Sequence, residues 1–249
     1  MPNKLPGFQN PKLWDYIAVN AENDIEAGGW YSSFGGTPFS SEEMEQYKEN
    51  TFTKLQPYLS KDKTVIEIGC ASGLTMFQLA PYVSKYIGTD MSKENLVRDE
   101  TRIQNDSRYN NIVLKQCFAN EVAEVLDTKA DIIIANSVCQ YFPDIQYFEN
   151  VISMCLSLLK SGGVLYIGDL LDKDLLPVLI QELKDWQRQN PGSKKVKIDR
   201  SDELWISRSY FDDIRTKYGA IANVEISDKT GKIPNELTKY RYDVILSIQ

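Results

Sequence analysis

Chemistry in this chain begins with a carboxylate set beside a glycine turn. The stretch Val65-Ile66-Glu67-Ile68-Gly69-Cys70-Ala71-Ser72-Gly73 reads as a buried strand running into a turn with two glycines. Such a turn lets the backbone approach a nucleotide-like ligand and lets the next helix pack on the strand. A pyrophosphate does not suit it: the dinucleotide fingerprint needs a third glycine, Ala71 stands mid-turn, and Glu67 would repel phosphate while attracting an ammonium. A second carboxylate, Asp90, ends the next apolar segment, Tyr86-Ile87-Gly88-Thr89-Asp90-Met91. There it can accept both hydroxyls of a ribose, or serve as an acid ahead of a helix that Ser92 caps. S-adenosylmethionine meets both demands, with an α-amino group, a sulfonium cation, a ribose and no phosphate.

The 249 residues include no histidine. That excludes a Ser-His-Asp triad, a histidine metal site and a histidine general base. Proton transfer must fall to carboxylates, tyrosine, lysine, backbone groups or water. Cys70, Cys117, Cys139 and Cys155 form no CxxC pair, and three of them lie in apolar segments. They read as small buried hydrophobes, with no metal site and no disulfide framework implied. A formal charge of −7 argues against a nucleic-acid partner. The densest basic run, Lys194-Lys195-Val196-Lys197, reads as a solvated loop. Nothing at the start reads as a signal peptide, and no apolar run approaches the ~18 residues of a membrane span. No membrane partner is expected, and a reducing cytoplasm is the default location.

These residues need elements to hold them. Ser40 and Glu43 make a capping box for a helix whose Met44, Tyr47, Thr51, Leu55 and Tyr58 keep one face. Ahead of it, Leu13, Trp14 and Ile17 suggest a short helix, and Gly28–Gly36 a loop. Strands at Thr64–Ile68, Lys85–Thr89, Ile112–Gln116, Asp131–Ala135 and Val164–Gly168 then alternate with helices. The last of those helices has Pro143 in its first turn and Gly162-Gly163 at its end. The rhythm implies an α/β fold, a mostly parallel sheet with helices on both faces. After Asp169 come helices at Asp174–Gln189 and about Ser209–Tyr218, then strands Ile221–Ile226 and Tyr240–Ile248. The connection between those two strands is too short for a parallel crossover, so the last strand is antiparallel.

The pattern h-h-Glu-h-Gly-x-x-x-Gly, followed by an acidic strand end, resembles the first two motifs of class I methyltransferases. More closely, the chain resembles the methyltransferase domains embedded in non-ribosomal peptide synthetases. Four ordered segments carry this likeness: Trp30-x-Ser32-x-Phe34-x-Gly36 with Pro38, Asn136-Ser137-Val138-Cys139-Gln140-Tyr141-Phe142-Pro143, Gly168-Asp169, and Asn235-Glu236-Leu237-Thr238-Lys239-Tyr240-Arg241-Tyr242-Asp243-Val244. Three places depart from the pattern: Ala71 replaces a glycine, Phe34-Gly35 stand where Tyr-Thr is common, and Leu-Leu follows Asp169 in place of Val-Arg. The resemblance implies a Rossmann-like seven-stranded sheet with an antiparallel last strand. It implies S-adenosylmethionine as methyl donor, S-adenosylhomocysteine as product, and an amino-acid-like or carrier-tethered aminoacyl acceptor, with nitrogen the expected methyl position. The chain looks like a stand-alone relative: residues 1–60 as a helical cap or lid, 61–249 as the methyltransferase domain, and 170–208 as an insertion shaping the acceptor pocket.

Within that frame, Glu67, Gly69, Ala71, Gly73, Asp90 and Met91 are expected around the cofactor. Ala119 and Asn120 frame its adenine or simply cap a helix. Asn136, Ser137 and Val138 end the fourth strand near the methyl group, and Gln140 and Tyr141 point toward the acceptor, unless the segment is only a loop and cap. Glu236, at the start of the last strand, is the candidate to hold an ammonium or take its proton, with Tyr141 as a further catalytic candidate. The alternative for Glu236 is a solvated turn acid. Asn235 and Asp169 are expected to face the acceptor. Trp30, Tyr31 and Phe34 form a lid or cover core, while Arg241 and Asp243 fit a buried ion pair or edge-strand charges. Three rival functions stay open: C- or O-methylation, a non-catalytic S-adenosylmethionine-binding module, and a nicotinamide oxidoreductase.

Overall fold

A computed structural model describes residues 7–193 and 195–249. Helices α1 (Pro11–Asn20), α2 (Asp24–Ala27) and α3 (Ser41–Leu55) precede the sheet. Then come β1 (Thr64–Ile68), α4 (Leu74–Leu79), β2 (Lys85–Asp90), α5 (Lys93–Asn105), β3 (Ile112–Gln116), α6 (Val122–Val125), β4 (Ala130–Asn136), α7 (Ile145–Leu158) and β5 (Leu159–Leu171). After the expected insertion with α8 (Leu176–Gln189) follow α9 (Ile214–Lys217), β6 (Ile221–Asp228), α10 (Glu236–Lys239) and β7 (Arg241–Ile248).

The seven strands lie in the order β3-β2-β1-β4-β5-β7-β6. β1 pairs in parallel with β2 and β4, and β7 runs antiparallel to both β5 and β6. The expected α/β sheet, with its antiparallel last strand, is therefore present. Parallel strands covered on both faces need apolar side chains on both. Alternate residues of β1 and β4 serve the two layers. Ile66, Ile68 and Ile133 pack with Phe148, Ile152 and Cys155 of α7. Val65, Ile132 and Ile134 pack with Leu55 of α3 and Met76 and Leu79 of α4.

Local chemistry places most boundaries. The Ser40–Glu43 capping box starts α3, with Ser40 Oγ accepting from the Glu43 N–H and Glu43 accepting in return. Other boundaries moved. Pro143 precedes the cap of α7, where the Asp144 side chain accepts from the Tyr147 N–H. The helix ends at Leu158, ahead of Gly162-Gly163, because Leu159 already pairs with Ala130 as the start of β5. The helix expected over Ser209–Tyr218 is a 3₁₀ turn, Arg208–Phe211, followed by α9. Asn235 does not open a strand. It caps α10, whose four residues bring the chain round to β7.

Candidate active site

The strand order reverses between β1 and β4, where ligands of open α/β sheets bind. A cavity of about 300 Å³ lies there. Its wall includes Glu67, Gly69, Ala71, Asp90, Met91 and Ala119 on one side, and Tyr141, Lys197, Arg200, Glu203 and Arg241 among its other charged and polar residues. Trp30 and Tyr31 line it from the N-terminal segment.

Three non-glycine residues among those described take left-handed backbone angles, and all three sit where strands end or break at this edge. They are Ala71 (φ 46°), Ser137 (φ 55°) and Asp169 (φ 63°). Such strain persists only where the surroundings hold it. Gly69 (φ 72°) could not be replaced cheaply, since a Cβ there would come within 2.7 Å of Val138 Cγ2.

Glu67 is 2% exposed, and its Oε2 accepts from the Tyr86 hydroxyl at 2.8 Å. Burial pushes its carboxyl up to about 8, against the lowering effect of that hydrogen bond. Asp90 accepts from the Ala71 N–H through Oδ2 at 2.8 Å and from the Ser92 N–H through Oδ1 at 2.7 Å. Burial still raises it to about 6. Asn136 donates to Thr51 Oγ1 at 3.2 Å and Thr75 Oγ1 at 3.3 Å, and its Oδ1 finds no donor among the described residues.

A family model described as "Methyltransferase domain" matches residues 59–217. The chain belongs to this methyltransferase family. Chondramide synthase of Chondromyces crocatus is 33% identical over 98% of the chain and 6% of its own length. A nonribosomal peptide synthetase of Metarhizium robertsii is 26% identical over 89% of the chain and 3% of its own. The chain thus spans less than a tenth of these curated relatives. In fold it is similar to the N-methyltransferase NodS of Bradyrhizobium japonicum bound to S-adenosylhomocysteine, with TM-score 0.57, 16% identity, and 91% and 99% of the two chains covered.

The methyltransferase takes S-adenosylmethionine as cofactor, and the cavity's donor set fits that molecule. Glu67 is a buried carboxylate with one hydroxyl partner and, among the described residues, no cation, which suits an ammonium. Asp90 keeps lone pairs free for hydroxyls after accepting its two N–H groups. The turn at Gly69 brings backbone to the cavity with no side chain in the way. Among the described residues no His, Cys, Asp or Glu group could hold a metal, and no helix is long and apolar enough to cross a membrane.

Several expected site residues stand elsewhere in the methyltransferase. Gly73 caps α4 behind the turn, where a Cβ would strike Phe77. Asn120 is exposed and accepts from the Tyr147 hydroxyl at 2.7 Å. Gln140 is 3% exposed and folds back, donating to the Ser137 carbonyl and Oγ at 2.9 Å, so it buttresses that turn and does not line the cavity. Phe34 packs against Trp186 of α8. Asn235 spends its side-chain oxygen on the N–H groups of Leu237 and Thr238 and its amide on Glu43.

Asp169 was expected at the acceptor and is instead fully buried. It accepts from Ser137 Oγ at 2.7 Å and pairs with Arg241 and, at 3.4 Å, Lys229. Asp243 joins the same network, held to about 2 because Lys229 and Lys54 outweigh the effect of burial. Arg241 is ion-paired as expected, yet it also reaches the cavity. Glu236 heads α10 and is 5% exposed. Its Oε1 accepts from the Ser33 N–H at 2.7 Å, and it stands behind the cavity wall. Burial raises the Tyr141 phenol, which therefore stays protonated at neutral pH and is a donor, not a base.

Residues 170–208 were expected to shape the acceptor pocket, but sequence reasoning named none of the side chains that line the cavity from there. Lys197, taken for solvated loop, lines the cavity with Arg200 and Glu203; Lys194 of that run lies outside the described residues. It also missed Phe8, Gln9 and Trp14. Phe8 packs tilted and Trp14 edge-on against Tyr141, with ring centroids 4.8 and 5.0 Å away, and Gln9 donates to its carbonyl. No motif marks Phe8 or Gln9, and the helical spacing around Trp14 does not reveal its partner, because all three meet Tyr141 more than a hundred residues away.

Proposed function

We propose that this methyltransferase methylates the nitrogen of an amino-acid-like acceptor, free or carried as an aminoacyl group, in a reducing cytoplasm. Glu67 would hold the ammonium of the cofactor and Asp90 its ribose hydroxyls, with Met91 and Ala119 flanking the adenine. The bound cofactor supplies an electrophilic methyl group on sulfur. The protein's task is to align the acceptor and exclude water. Segment 7–39 serves as the lid, with Trp30 and Tyr31 over the cavity. Ser72 Oγ donates to the Asp24 carbonyl at 2.6 Å, which ties this segment to the glycine turn.

One observation carries the choice of nitrogen. The acceptor end of the cavity offers no strong base. Histidine is absent from the chain, the Tyr141 phenol stays protonated, and Glu203 is tied to Lys197 at 2.9 Å with Arg200 beside it. A carbon or hydroxyl acceptor needs a committed base, whereas an amine that has lost its proton to solvent is already a nucleophile. The similarity to peptide synthetases, across 89–98% of the chain, supports an aminoacyl-type acceptor.

The test is release of S-adenosylhomocysteine with a panel of amino acids and aminoacyl thioesters, with the methyl position fixed by NMR. N-methyl products are expected. A methyl on carbon or oxygen, or no product from any amine, overturns the proposal.

A further inference from the structure

Residues outside the sheet, Lys197, Arg200 and Glu203, give the acceptor end its charge. With Arg241 they set three cations against one carboxylate on that wall, while Asp169 and Glu236 lie behind it. Arg200 is the most enclosed of the three cations, at 6% exposed. One terminal nitrogen donates to Ser33 Oγ at 2.7 Å. The Glu203 carboxylate lies 2.9 Å from Arg200 Nε but off the line of a hydrogen bond, and no other described residue accepts from that nitrogen. Glu203 is also shared with Lys197.

Glu203 offsets the buried guanidinium only in part, since it is shared with Lys197 and makes no hydrogen bond to Nε, so donor capacity remains for a further anion. Its planar fork matches a carboxylate, and charge-assisted contacts of that kind are the strong ones. Ser33 holds the fork in place: its Oγ takes Arg200, its carbonyl accepts from the Lys197 N–H at 2.9 Å, and its own N–H goes to Glu236. Phe8 and Trp14 nearby offer aromatic surface to a side chain.

Resting on the amine-acceptor reading above, we propose that Arg200 recognises the free carboxylate of the acceptor, so that the substrate class is free amino acids and not carrier-bound thioesters. Asp169 pairs with Arg241, and Glu203 and Asp202 pair with Lys197, so the contact that remains to be filled is at Arg200, where a neutral thioester carbonyl is a weaker acceptor than a carboxylate. A carboxylate there fixes the amino group relative to the cofactor side of the cavity. Arg200 is then the residue that separates acids from esters.

Binding and turnover are measured separately to test this. Amino acids and their methyl esters are titrated into protein loaded with S-adenosylhomocysteine, for wild type, Arg200→Gln and Arg200→Lys, and the same panel is assayed for methyl transfer. Acids are expected to bind wild type roughly ten-fold or more tightly than their esters. Arg200→Gln should erase that preference while ester and S-adenosylhomocysteine affinities stay within about two-fold, and Arg200→Lys, which keeps charge but not the fork, should restore only part of it. Esters binding as well as acids, no binding of any acid, or equal weakening of acids and esters in Arg200→Gln would each overturn the inference. If acids bind through Arg200 and no N-methyl product forms, the carboxylate site stands and the amine reading falls.

Discussion

The Ser33 N–H donates to Glu236 Oε1 at 2.7 Å across 203 residues of chain. This contact joins the N-terminal loop to the C-terminal motif directly behind the cavity, and it recasts Glu236. The other carboxylate oxygen has no partner among the described residues. Glu236 accordingly holds Ser33, which lines the cavity, and is not itself part of the lining.

A pair of substitutions separates positioning from proton transfer. Glu236→Gln keeps a carbonyl oxygen for the Ser33 N–H, so kcat should stay within about three-fold of wild type, whereas loss of a general base costs about 10²-fold or more. Glu236→Ala removes a buried charge-assisted contact worth about 1.5–3 kcal/mol. It should lower Tm by several degrees, at ~2–4 °C per kcal/mol for a chain of this size, and raise the acceptor KM. A large kcat loss in Glu236→Gln would restore the catalytic role.

Glu67 sets a pH dependence. Its folded value, about 8, lies above the ordinary 4.5. Between those values the folded, cofactor-free protein holds a proton that the unfolded chain has released, so stability falls as pH rises from about 5 to 8. Asp90, raised to about 6, adds to the slope at its lower end. Thermal melts without cofactor should therefore show Tm dropping over this range, and Glu67→Gln should flatten the drop. Pairing with an ammonium requires the ionised carboxylate. Cofactor affinity should rise with pH toward 8, with proton release visible by calorimetry in two buffers, and Glu67→Gln should bind the cofactor about ten-fold or more weakly. Equal affinity in that variant would sink the role given to Glu67.

The turn itself is testable at two positions. Ala71 holds φ 46°, where an L-residue is strained and glycine is not. Ala71→Gly should stabilise the protein by about 0.5–1 kcal/mol, read from denaturant melts, with cofactor binding kept. Gly69→Ala has the opposite sign. It combines φ 72° with a contact to Val138, and should cost more than about 1 kcal/mol and weaken cofactor binding. A Gly69→Ala variant as stable as wild type would show that the turn relaxes freely.

Amino-acid sequence alone determined the sheet, the capping box at Ser40, the glycine turn and the two acidic strand ends, because each rests on neighbours within a few residues. Apolar runs, turn residues and caps act locally, and Glu67 and Asp90 follow from strands whose direction is set by the β-α rhythm. The absence of histidine narrowed the chemistry before any fold was considered. Tertiary structure decided which side chains reach the cavity. Gln140 and Asn235 satisfy nearby backbone, Asp169 is drawn inward by Arg241 and Lys229, and Arg200 is drawn to the wall by Ser33, 167 residues away. A polar side chain near a strand end goes wherever its buried hydrogen bonds and charges are met, and those partners come from segments that only the folded chain brings together.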